Sequence, residues 1–220
     1  MWKAKVLDLN ASKFAPDALY WFDSSRYCNH GQITLGNGTW ARLASSLYKL
    51  DFDGSATLVT ISDTSSLNLT ASMSIVAWVY ADDFVNDYMH VCAKIGGSTN
   101  GYHIGKQSGV NKLDFTIGDG VDWQSATTDI LAAKTWYCIV GTYDETNIKI
   151  YRNAMLEDSQ AQSAPADSSG SNLIIGRHTS LTQTARFWKG SIALLRIYNK
   201  ALCLCDIKKI YETEKHLFGV

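Results

Sequence analysis

The chain has no apolar run near the roughly 18 residues that a membrane helix needs, and neither sign of charge is in excess. Twenty Lys and Arg face 21 Asp and Glu, a formal net charge of -1. The first absence excludes a membrane-spanning helix. The second removes the basic footprint by which nucleic acid or an anionic lipid surface is held. The start, Met1-Trp2-Lys3-Ala4-Lys5, lacks the apolar stretch of a secretory signal, so the expectation is synthesis in the cytoplasm without export by the usual route. Cysteine forms no CxxC pair: Cys28, Cys92, Cys138, Cys203 and Cys205 are an odd set, and Cys203 and Cys205 are too close for an ordinary strand-to-strand bridge. Cys92 and Cys138 lie inside apolar strand patterns, where a thiol acts as a small hydrophobe, and reduced structural thiols are expected.

Catalytic patterns are missing as well. The glutamates are Glu145, Glu157, Glu212 and Glu214, none alternating along a strand with a carboxylate partner, and the last two are assigned to the solvated face of a helix. His30, His90, His103, His178 and His216 show no HxxxH or HxH spacing and are assigned structural or solvent-facing roles. Neither a nucleophile elbow nor a phosphate loop occurs, so the expectation is a protein that is not an enzyme. Three NxS/T triplets, at Asn10, Asn37 and Asn68, are read as chance.

What is present is strand after strand. Met73–Tyr80 and Thr135–Tyr143 are apolar on both faces, which places them in the middle of a sheet with each face covered. Lys112–Ile117 alternates cleanly, Leu113, Phe115 and Ile117 against Lys112, Asp114 and Thr116, and reads as half-buried. Further strands are expected over residues 18–22, 32–35, 49–52, 57–61, 88–95, 102–106, 121–126, 147–152, 155–162, 173–175 and 186–199, punctuated by turn signals such as Asn37-Gly38 and Asp53-Gly54. The segments on either side of Asp53-Gly54 read as a hairpin-like unit, and Gly190 as a bulge or a close backbone approach. One helical pattern covers Asn199–Glu212. The fold expected is all-β: an antiparallel jelly-roll β-sandwich with one short C-terminal helix. Residues 1–17, with Trp2 and Phe14, read as an N-terminal extension and 18–220 as the domain.

Seven segments in order resemble the laminin G-like, concanavalin A-like lectin/glucanase superfamily. Asp23 to Gly31 is similar to its DSSGNGNHG opening, Leu50 to Ser55 to LxFDGS, and Ser74 to Tyr80 to ISAWVKP. Trp136 through Asp144 is similar to WHHVAGTYD, and Ile148 to Asn153 to the strand before the DG turn. Ile174 to Arg177 and Lys189 through Leu202 resemble LxIGR and FxGxIDEVRIYNRAL. The resemblance implies the sandwich fold. It does not choose among lectins, adhesion modules, enzyme accessory domains and virion proteins. It also implies a calcium ion held by Asp23, but Ile192-Ala193-Leu194 stands where the family has IDE, and calcium needs more carboxylate than remains. Asp23 is therefore a calcium candidate set against a residue that closes its own turn. The glucanase ExDxxE motif is absent.

A sugar needs an aromatic ring beside polar side chains. Trp123, with Asp119, Asp122 and Gln124, meets that requirement, opposed by a reading of Trp123 as a cap on the core edge. Tyr88, with Asn86 and Asp87, is second, and Tyr102 and His103 are candidates for the same rim. Trp21, Trp78 and Trp136 are assigned to the core. The function expected is a non-enzymatic binding or surface-presentation module that recognises a glycan or protein surface, as a virus or phage structural component at the virion surface. The alternative is a free-standing carbohydrate-binding lectin or adhesin, and a glycoside hydrolase comes third. Residues 1–17 and the helix with His216-Leu217-Phe218-Gly219-Val220 after it are the expected contacts with assembly partners.

Overall fold

The computed structural model describes residues 4–10, 19–97, 99–162, 164–179 and 186–220. The expectations placed on Trp2, Phe14 and Ala18 lie outside the described residues. In chain order the strands are β1 (Lys5–Asn10), β2 (Tyr20–Trp21), β3 (Gly31–Thr34), β4 (Thr39–Arg42), β5 (Tyr48–Asp53) and β6 (Leu58–Ile61). There follow β7 (Met73–Ala81), β8 (His90–Gly96), β9 (Asn100–Lys106), β10 (Leu113–Asp119), β11 (Trp123–Thr127) and β12 (Trp136–Tyr143). The last are β13 (Asn147–Arg152), β14 (Met155–Ala161), β15 (Leu173–Ile175), β16 (Lys189–Tyr198) and the helix α1 (Leu204–Phe218).

All pairings are antiparallel, and the strands form two layers. The first sheet runs β14-β13-β12-β7-β16-β5-β4, with β1 also paired to β16. The second runs β11-β10-β9-β8-β15-β6-β3-β2. Both faces of β7 are filled, as its sequence requires. Met73, Ile75, Ala77 and Val79 enter the core between the sheets, while Val76 and Trp78 join a second cluster with Cys138, Val140, Leu194, Ile207, Ile210 and Phe218. That second cluster is the outer face of the first sheet roofed by α1. Trp21 is a core residue between the sheets, whereas Trp78 and Trp136 belong to the layer under the helix. Gly190 has φ +133°, and a Cβ there would lie 2.1 Å from the Tyr80 carbonyl oxygen; it is a close backbone approach.

Several expectations need correction. Residues flanking Asp53-Gly54 are not a hairpin: β5 pairs with β4 and β16, β6 with β3 and β15. The turn carries the chain from one sheet to the other. Asp53 accepts the amides of Ser55, Ala56 and Thr57 on Oδ1 and that of Asn37 on Oδ2, joining this crossing to the one at Asn37-Gly38. Burial opposes its charge, but these four amides outweigh it and hold the carboxyl below the usual range. The strand β4 was not expected from the sequence.

The helix begins and ends later than its pattern suggested. Cys203 Sγ accepts the Asp206 amide at 3.3 Å, and Gly219, in the left-handed conformation, ends the helix after Phe218. His216, Leu217 and Phe218 are therefore helical. Cys203 and Cys205 form a disulfide, against the expectation of reduced thiols. The two cysteines are not on paired strands but flank a helix start, and their Cα separation of 5.3 Å lies in the range a bridge spans. Cys28, Cys92 and Cys138 are free, and burial pushes the Cys92 thiol up to about 12, which leaves it inert.

Both terminal segments, expected to reach another protein, are used by the chain itself where they are described. Asp8 on β1 pairs with Arg196 on β16 at 3.1 Å. Arg196 also pairs with Glu214 on α1 at 2.7 Å, and Glu214 accepts the Trp78 indole N–H at 2.8 Å. Glu214 is consequently not on a solvated face. The buried arginine needed an acid, and α1 supplies it from above.

Candidate functional site

The outer face of the first sheet is covered by α1, and the outer face of the second carries no helix among the described residues. On that open face, side chains from four neighbouring strands fall into cross-strand rows. One row is Ile95, Gly101, Gly118 and Trp123, the next Ala93, His103, Thr116 and Ser125, and a third His90, Gly105, Asp114 and Thr127. A Cβ on Gly118 would lie 2.8 Å from Cζ3 of Trp123. The glycine lets the indole lie down against the sheet, half-buried, with its edge toward His103 at 5.6 Å between ring centres.

These rows make the floor of a groove of ≈ 670 Å³ bounded by Trp123 and Ser125 on one side and by Tyr88, His178 and Arg186 on the other. A second hollow of ≈ 670 Å³, toward Ser171 and Asn172, shares Ile95, Gly97 and His178 with it. The two hollows therefore adjoin along the open face of the second sheet.

Three histidines meet in the groove. His90 lies 4.9 Å from His103 and 4.8 Å from His178, centre to centre. They come from β8, β9 and the segment after β15, which are adjacent because β8 pairs with both β9 and β15. The Tyr88 carbonyl faces Nδ1 of His90, so Nδ1 donates and Nε2 carries the lone pair. That carbonyl is aimed by an unusual backbone, Tyr88 having φ +54°. Burial, then the neighbouring cations and rings, lowers all three histidines: His90 well below its ordinary value, His103 to about 3 and His178 to about 4. Asp114 moves the other way, burial raising it to about 6. Asp114 Oδ1 lies 3.9 Å from His103 Nε2. With His103 neutral at every pH where Asp114 is ionised, the contact is not an ion pair. Asp114 Oδ1 and His103 Nδ1 are both buried without a hydrogen-bond partner.

Of the residues singled out from the sequence, Trp123, Tyr88 and His103 line this groove together. Tyr102 does not share their rim. It follows the opposite alternation on β9, is buried in the core, and donates its hydroxyl to the Leu67 carbonyl. Gln124 alternates away from Trp123, and Asp122 is exposed beyond it. Asp119 closes its own turn by accepting the amides of Val121 and Asp122. Asp87 stands behind the groove wall, holding Lys106, Ser108 and Gly109. Asn86 donates to the carbonyls of Gly54 and Phe187.

The polar partners beside the rings are instead His90, Asp114, His178 and Arg186, which sequence reasoning missed. Asp114 and Thr116 did carry a signal, the polar side of a clean alternation, but they are buried rather than solvated. The histidines carried none, since their proximity comes from strand pairing. Among the described lining residues Asp114 is the one carboxylate, so the paired acids of glycoside hydrolysis are not assembled here.

Asp23 does not fit calcium. Its Oδ1 accepts the amides of Asp8 and Ser25, and its Oδ2 the Asn29 amide and the Ser25 hydroxyl, at 2.6–2.8 Å. Four donors point where a cation would need lone pairs. Ala193 and Leu194, in place of the family's acids, belong to the apolar layer under α1.

A family model described as the concanavalin A-like lectin/glucanases superfamily matches residues 53–208. No curated protein matches by sequence. Among solved structures, the chain resembles domain 4 of AbnA, an extracellular arabinanase from Geobacillus stearothermophilus in complex with arabinotriose. The identity is 16%, the TM-score 0.77, and 94% of this chain and 98% of that one are covered. It also resembles a binding domain of botulinum neurotoxin DC in complex with rat synaptotagmin II, at 17% identity and TM-score 0.72, over 96% of this chain and 52% of that one. A structure of botulinum neurotoxin type C, described as dependent for cell entry on two ganglioside molecules, gives 17% and 0.72, over 96% and 51%. The chain thus spans about half of each toxin structure, and these likenesses establish the fold.

Proposed function

Since the chain belongs to the concanavalin A-like lectin/glucanases superfamily, whose fold serves binding modules and enzymes alike, we propose that it is a non-catalytic carbohydrate-binding module. It takes a glycan into the groove on the open face of its second sheet. The observation that carries this reading is the convergence there of Trp123, Tyr88 and His103 with the buried, unpartnered polar atoms of His103 and Asp114. An indole laid against a sheet offers the flat apolar surface on which a pyranose or furanose ring stacks, and the sugar hydroxyls supply what buried polar atoms lack.

The arabinotriose complex of one similar fold, and the dependence of another's cell entry on two ganglioside molecules, favour the lectin alternative over a virion component. A single lining carboxylate favours binding without hydrolysis. The test is a glycan array followed by titration of intrinsic tryptophan fluorescence. Saturable binding is expected, weakened by about tenfold or more, roughly 1.4 kcal/mol, in Trp123→Ala with an unchanged far-UV spectrum. Binding that survives this substitution at full strength places the site elsewhere, and hydrolysis of a bound oligosaccharide removes the non-catalytic reading.

A further inference from the structure

We propose that the groove selects glycans bearing a carboxylate, uronic or sialic acids, and that Arg186 is the residue that pairs with it. This rests on the groove being the glycan site. Two fixed cations, Lys106 and Arg186, line the groove. Lys106 is buried and already answered by Asp87, its Nζ 3.2 Å from Oδ1. Arg186 is not so answered. Its guanidinium lies 4.6 Å from the centre of the Tyr88 ring and has no acidic partner among the described residues. It is half-buried at the groove wall, and the extended pairing of Arg177 with Phe187 sets it beside His178, whose amide meets the Arg186 carbonyl at 3.4 Å.

A neutral sugar gives such a cation no counter-charge. A guanidinium backed by an aromatic ring has its planar fork free for a carboxylate, two parallel N–H···O bonds that a hydroxyl cannot match. The surroundings favour an anion too. The groups facing the site are His90 from β8, His103 and Lys106 from β9, Asp114 from β10, Arg177 and His178 after β15, and Tyr88 and Arg186. Asp114 alone is acidic, and its affinity for a proton is already raised. The field of Arg186 and the neighbouring rings also resists charging of the histidines, a resistance that a bound anion would relieve. Lowering the pH therefore makes the groove less negative at Asp114 first. Acidic sugars should then bind more tightly between about pH 7.5 and about pH 5.5, while neutral sugars should not.

The experiment uses the full chain on a glycan array, then calorimetric titration with sialyllactose against lactose and trigalacturonate against its methyl ester. The expected result is a preference of about tenfold or more for the acidic member of a pair. Arg186→Gln should reduce that preference to within about twofold, and Arg186→Lys should restore part of it. Equal binding of acidic and neutral members overturns the inference and leaves the glycan reading standing. So does an acid preference that persists in Arg186→Gln. Failure of every acidic glycan on the array overturns it whether or not neutral glycans bind, and failure of all glycans overturns the reading on which it rests.

Discussion

Asn29 lies buried where three segments meet. Its Nδ2 donates to the Val6 carbonyl at 2.8 Å and to the Ser66 hydroxyl at 2.9 Å, and its Oδ1 accepts from the Thr64 hydroxyl at 3.0 Å. The motif around it does the same work: His30 Nδ1 accepts the Asp23 amide, and Asp23 accepts the Asn29 amide. A run that reads as a family signature is thus a set of hydrogen bonds tying β1 to the loop before β3. Asn29→Ala removes three bonds and leaves the Val6 carbonyl only the longer contact from the Ser25 hydroxyl, at 3.3 Å. A cost of about 2–3 kcal/mol is expected, from about 1 kcal/mol per buried bond, read as a lower urea midpoint with unchanged slope. Aspartate at 23 shows the same economy, its four hydrogen bonds taking up the capacity that a calcium ion would otherwise use.

The helix α1 shows how one element changes the meaning of residues far from it. Phe218 stacks on Trp78 with ring centres 4.0 Å apart, and Tyr211 lies on the same indole at 5.9 Å. Glu214 holds Arg196 and Trp78 from above. Two positions earlier, Glu212 faces solvent, with Lys215 as its ion-pair partner among the described residues. The two acids look alike in the sequence and should behave differently. Glu214→Ala leaves the buried Arg196 guanidinium with Asp8 alone and the Trp78 indole N–H without its acceptor, and a loss of about 3 kcal/mol is expected. Glu212→Ala should leave the denaturation midpoint unchanged, since exposed i,i+3 pairs contribute little. Equal effects of the two would mean that α1 does not hold this position in solution.

For the molecule as a whole, the groove makes stability depend on pH. The unfolded chain protonates a histidine near pH 6.5, whereas the native protein keeps His103 neutral down to about 3 and His178 to about 4. Below about pH 6.5 the unfolded state binds more protons, so stability falls on acidification. Asp114 acts in the opposite sense. Its folded value is raised to about 6, so its contribution is fully present below about pH 3.9 and is lost as pH rises through its folded value. Three histidines against one aspartate give a net fall. Removing one of these histidines, His103→Gln, should return about 2 kcal/mol of that fall at about pH 5. Asp114→Asn should steepen it, and guanidinium titrations at a series of pH values measure both.

The sandwich itself was legible because its signals are local. Alternation in Lys112–Ile117, two apolar faces in Met73–Tyr80 and turns such as Asn37-Gly38 each act over a few residues, and the family motifs stand in chain order. Trp123, Tyr88 and His103 could likewise be named, since a ring beside turn residues is visible in one dimension. Periodicity says which side of a strand a residue occupies, and not what that side meets. Only the packing decided that one outer face lies under α1, burying Glu214, and that the other stays open. Strand pairing then brought His103 and His178 each within 5 Å of His90, centre to centre, from positions that no spacing rule connects. Burial, which is a property of the assembled sheets, turned the polar side of β10 into the floor of a groove.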